Sequence, residues 1–133
     1  MPSSLMIHNE DPREALLKQV GDLSGVEVMG SDVLCAIYIR PEKTASGLYI
    51  PDSTRDEDKF QGKALLVLKM GPYAYKDDEG KEFRDIKEGD WVVGRASDGW
   101  ACTLNSVNNS KIDCRVFRDI DLRLRISSPD VIY

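Results

Sequence analysis

The sequence predicts a small all-β barrel or sandwich with one peripheral helix. Three observations carry that expectation. From Gly25 onward, short runs rich in Val, Ile and Tyr recur between Gly, Pro and Asp turn signals. "DIDLRLRIS" alternates strictly, with Ile120, Leu122, Leu124 and Ile126 on one side and Asp121, Arg123 and Arg125 on the other. A single segment near the start carries both a helix start and a helix stop. The 133 residues suit one domain.

That helix is expected first. Asp11 is its N-cap, Pro12 fits the first helical position, and Glu14 stands three residues after the cap. "REALLKQV" propagates the helix and Gly21 stops it. Leu16 and Val20, one turn apart, give it a modest apolar face.

The β elements follow. "GVEVMGSDVLCAIYIRPE" reads as β structure bounded by Gly and Pro. "GKALLVLKMGP" is a continuous apolar run, as in a strand buried on both faces. "KDDEGKE" is a turn with Gly80 available for a positive φ. "IKEGDWVVGRASDGW" reads as turn, strand and turn, with Asp98-Gly99 as the second turn. "ACTLNSV" and "DCRVFRD" are two strands joined by the hairpin connection "NNSK", and "DIDLRLRIS" is a half-buried strand. "SSPDVIY" ends the chain as an exposed apolar tail.

Composition excludes several functions. The net charge is −5, and Lys and Arg are spread along the chain, which argues against a nucleic-acid partner. No run is long and apolar enough for a membrane span, and "MPSSLMIHNEDPREALL" lacks the features of a secretory signal. Cys35, Cys102 and Cys114 fit neither a disulfide framework nor a zinc site and are expected as reduced core residues. A cytoplasmic protein is expected.

Catalytic chemistry has little to build on. The single histidine, His8, is far from every cysteine in the sequence and excludes a two-histidine metal site. "YKDDEGKE" fails as a calcium loop, because Tyr75 and Ile86 stand where acids are required. There is no Gly-rich phosphate cradle. The carboxylates of "DEDK" and "DDEG" read as solvated charge runs. No enzyme activity, cofactor or metal is expected.

One stretch resists the pattern. "TASGLYIPDSTRDEDKFQG", Thr44 to Gly62, reads as a long polar loop without internal structure, yet it contains Leu48, Tyr49 and Ile50 in a row. Long loops in compact domains are usually functional or disordered. From the residues alone, an anchor into the protein's own core is the ordinary explanation of such a triplet.

Four segments together resemble the GroES-type co-chaperonins. "KTASGLYIPD" is similar to the family's mobile loop, Lys-Thr-Ala-Gly-Gly followed by three aliphatic residues and Pro-Asp. "QGKALLVLKMGP", "DIKEGDWVV" and "CRVFRDIDLRLRI" resemble later family segments in the right order, so that the likeness runs from Val28 to Ile126. The resemblance implies an irregular Greek-key-like β-barrel over 25–126, with a mobile loop at 41–62 and a roof hairpin at 72–88. It implies a ring, a heptamer in the family. Its partner would be the apical domains of a GroEL-type chaperonin ring, docked by Leu48, Tyr49 and Ile50 with Gly47 before them.

The sequence departs from the family in places. Ser46 replaces a glycine, Tyr49 replaces an aliphatic residue, and "STRDEDK" is unusually charged. The extension 1–24 and the tail 127–133 have no counterpart in compact members. Such additions resemble bacteriophage-encoded versions. They raise an alternative in which the barrel is a capsid decoration or cement protein bound to a major capsid protein.

Overall fold

In a computed structural model the chain is described over residues 11–40, 47–61, 63–105 and 111–132. His8, Thr44, Ser46, most of the "NNSK" connection and Tyr133 lie outside those residues.

The first helix, α1 (Pro12–Val20), forms where the caps place it. The Asp11 side chain accepts the Arg13 N–H, and Gly21, at φ 70°, donates its N–H to the Leu17 carbonyl. Its apolar side docks on the body of the protein: Val20 is buried, and Leu16 packs beside it on the core.

Among the described residues six strands follow: β1 (Asp32–Ile37), β2 (Ala64–Met70), β3 (Trp91–Gly94), β4 (Trp100–Asn105), β5 (Lys111–Arg118) and β6 (Leu122–Ile126). They form one antiparallel sheet in the order β4-β5-β1-β2-β3-β6. The fold is therefore all-β, as the sequence predicts.

The apolar run of β2 is explained by its central place. Ala64, Leu66 and Leu68 enter one core with Leu34, Ala36, Trp91 and Val20. Leu65 and Val67 enter a second with Val33, Cys35, Val92 and Phe117. Alternate side chains of a strand point to opposite faces, so a strand covered on both sides has no polar register. Tyr38 meets Trp91 edge-to-face at 5.8 Å in the first core. Each fully buried large side chain contributes roughly 1.5–3 kcal/mol.

The β4–β5 hairpin pairs Trp100 with Val116 through to Asn105 with Lys111, and sets Cys102 opposite Cys114. All three cysteines are free, with Cys35 and Cys114 buried and Cys102 half-buried. The Asp98-Gly99 turn is a single 3-10 turn, Ala96–Asp98, closed by the Gly99 N–H on the Ala96 carbonyl.

The alternating segment differs from expectation. Ile120 is 60% exposed and Leu124 is 59% exposed. Ile120 belongs to a 3-10 turn, Asp119–Asp121, where the two-residue period does not apply. Leu124 lies on an edge strand that, among the described residues, pairs with β3 alone. The register also shifts between Val93 and Gly94.

Between β2 and β3 a small hairpin closes around Gly80, at φ 79°, with Lys76 bridged to Glu82. The Asp77 carboxylate accepts the N–H groups of Glu79 and Lys81, so "DDEG" makes an internal turn. Tyr75 sits at φ 59°, a strained conformation for a bulky residue. Its N–H donates to the buried Asp119 carboxylate at 2.8 Å, which ties the hairpin to the turn before β6.

Candidate functional site

The four residues singled out in the sequence stand together before a second helix. Gly47 adopts φ 95°, a conformation that L side chains rarely tolerate. Leu48 is 70% exposed and Tyr49 is 73% exposed, while Ile50 is half-buried. Leu48 and Tyr49 are therefore not anchors into the chain's own core. Large apolar side chains side by side at the surface mark an interaction site more often than an accident.

The structure corrects the expectation of a structureless loop. Directly after the triplet, α2 (Asp52–Gln61) forms. Pro51 starts it, its carbonyl accepting the N–H groups of Thr54 and Arg55 at 3.0 and 3.1 Å. Asp52 in the first turn complements the helix dipole. Propensity could not predict this helix, since Asp, Ser and Thr favour caps and turns. The available signal was Pro-Asp followed by acids, a helix start without an apolar face.

A tertiary contact secures α2. Asp58, expected as part of a solvated charge run, is 3% exposed. Its carboxylate accepts the Arg40 backbone N–H at 2.9 Å, Nε at 2.8 Å and Nη2 at 2.7 Å. Arg55 Nε donates to the Arg40 carbonyl at 3.0 Å. Arg40 lies just beyond β1 and α2 just before β2, so the clamp closes the base of the segment that carries the triplet. Sequence reasoning missed Arg40, Arg55 and Asp58, because nothing local marks residues eighteen apart as partners.

Other chemistry is sparse. Among the described residues no group of three or more His, Cys, Asp or Glu is placed to hold a metal ion. Burial pushes the Cys114 thiol up to about 12, with further contributions from Cys102 and Asp113. The Cys35 thiol is also pushed up, chiefly by burial. Neither is an activated nucleophile. No described helix is long and apolar enough to cross a membrane.

Comparison with known proteins gives a family context. No family model matches the chain. It is 32% identical over 100 residues to the co-chaperonin GroES of Deinococcus radiodurans, covering 75% of this chain and 93% of that protein. It is 39% identical over 61 residues to the co-chaperonin GroES of Corynebacterium jeikeium, covering 46% of this chain and 58% of that protein.

Proposed function

The chain belongs to the GroES co-chaperonin family, and we propose that it caps a GroEL-type chaperonin ring and assists ATP-dependent protein folding. The carrying observation is the exposure of Leu48 and Tyr49 on a segment clamped at its base by Arg40 and Asp58. Docking Gly47, Leu48, Tyr49 and Ile50 in an apolar groove of the chaperonin's apical domain relieves that exposure. Each large side chain gains roughly 1.5–3 kcal/mol on full burial. Ordering the segment and losing free motion offset much of this, so one loop binds weakly. A ring of identical subunits, a heptamer in this proposal, restores affinity through effective concentration while each contact stays reversible. The site of action is the cytoplasm.

The test is co-elution of the chain with a chaperonin ring in the presence of ATP. Leu48→Asp and Ile50→Asp abolish co-elution while circular dichroism shows an intact fold. Retention of binding and folding assistance by both variants overturns the triplet assignment. The capsid alternative and a phage origin draw no support from the two bacterial relatives. Recovery of the protein in purified virions, at a copy number set by the shell, would reinstate them.

A further inference from the structure

Two cavities flank the edge strand β6 and share Arg123 and Leu124 as a common wall. The larger, about 760 Å³, is bordered by Lys63, Arg95 and Arg115. The smaller, about 40 Å³, is bordered by Tyr75, Arg84 and Arg125. Among the described residues no carboxylate lines either one. The chain has 23 acidic and 18 basic side chains, so this stretch reverses the sign of the molecule locally.

Not all of that charge is available. Arg125 bridges Asp85 at 2.9 Å and Asp90 at 3.5 Å, and Arg95 approaches Asp98 at 3.4 Å. Arg115 Nη1 donates to the Gly99 carbonyl at 3.2 Å. Lys63, Arg84 and Arg123 make no ion pair among the described residues. The buried Asp119 carboxylate accepts the Tyr75 backbone N–H.

Tyr75 provides an independent sign of a ligand. The residue is 4% exposed, yet its hydroxyl has no hydrogen-bond partner among the described residues. A buried hydroxyl without a partner is costly, and such groups are rare without a reason. Burial above all, then Cys35 and Asp119, pushes the phenol up to about 12. It keeps its proton at neutral pH and needs an acceptor.

We propose that the smaller cavity beside β6 is an oxyanion site that takes a phosphate group. The Tyr75 hydroxyl and the Arg84 and Arg123 guanidinium groups hold the phosphate in the smaller cavity. The smaller cavity has room for on the order of three waters, enough for one tetrahedral oxyanion and too little for a nucleotide. Arginine forks match phosphate oxygens, and of the six cations here all but Lys63 are arginines. The site is separate from the loop triplet and does not depend on its role.

The experiment is calorimetric titration of the full chain with orthophosphate and with tripolyphosphate at equal ionic strength. Saturable binding of orthophosphate identifies the free ion as ligand; saturable binding of tripolyphosphate alone identifies a terminal phosphate of a longer chain. Arg123→Ala weakens binding about tenfold or more, as expected for one hydrogen bond to a charged group. Arg84→Ala reads the same site should Arg123→Ala fold poorly. Tyr75→Phe also weakens binding while leaving the melting temperature unchanged or higher, because it deletes a hydroxyl that makes no internal bond. Absence of saturable binding by both anions overturns the proposal. So does binding that ignores both Arg123→Ala and Tyr75→Phe, or equal affinity for polyglutamate, which would reveal charge attraction alone.

Discussion

Asp58 and Arg40 are joined at the proposed docking segment by three donors of one residue converging on one carboxylate. Asp58 is 3% exposed and Arg40 27% exposed, so water competes weakly. The contact joins the exit of β1 to the middle of α2. It sets where the triplet emerges.

Asp58→Asn removes the charge and part of the clamp. Hydrogen bonds to charged groups contribute roughly 1.5–3 kcal/mol each, and losing a buried partner costs more than its net worth. The expected loss is about 2–3 kcal/mol by urea unfolding. Amide exchange in Asp52–Gln61 rises more than in β2. Chaperonin binding weakens although the triplet is untouched, because more of the segment must be ordered on docking.

Gly71→Ala tests a close approach of two backbones. The Gly71 N–H donates to the Asp32 carbonyl at 2.9 Å. A Cβ there would fall on the Gly30 carbonyl and within 2.8 Å of the Met29 oxygen. Backbone cannot swing aside as a side chain can, so a loss of about 1–3 kcal/mol is expected in denaturant unfolding. Gly25→Ala, where a Cβ meets nothing within 4 Å, is the control.

Alkaline pH destabilises the fold in a defined window. The Cys114 thiol moves from 9.0 to about 12, and the Tyr75 phenol from 10.0 to about 12. Both acids are harder to ionise when folded, so unfolding releases protons above pH 9. Their contribution is complete below that pH and is lost as pH rises towards 12. Each group adds a slope of up to about 1.4 kcal/mol per pH unit. Melts from pH 8 to 11 therefore fall steadily, and Tyr75→Phe flattens the part above pH 10.

Thiol labelling separates the cysteines. Half-buried Cys102 reacts in the native protein at pH 8, whereas buried Cys35 and Cys114 react after unfolding. Equal native rates at all three, followed by mass spectrometry, would contradict the packing of β1 and β5.

Local chemistry made much of the fold legible. Asp11, Pro12 and Gly21 bracket α1 because each acts on its own backbone neighbourhood. The unbroken apolar run of β2 announces a strand buried on both faces, and Gly80 marks its turn by its positive φ. Leu48, Tyr49 and Ile50 stood out because an apolar triplet beside Gly47 and Pro51 fits neither strand nor polar loop.

Tertiary structure decided what depends on residues distant in the chain. A charged segment with three Asp and no apolar face has little of its own to hold it as α2; Arg40 adds a tertiary contact, reaching across eighteen positions to Asp58. Leu124 follows the pattern of a buried residue, yet it stays exposed because β6 ended at the sheet edge. Tyr75 holds a positive φ while its own N–H is bonded to Asp119, forty-four residues away. Propensity, capping and alternation are properties of neighbours along the chain, whereas burial and pairing belong to neighbours in space.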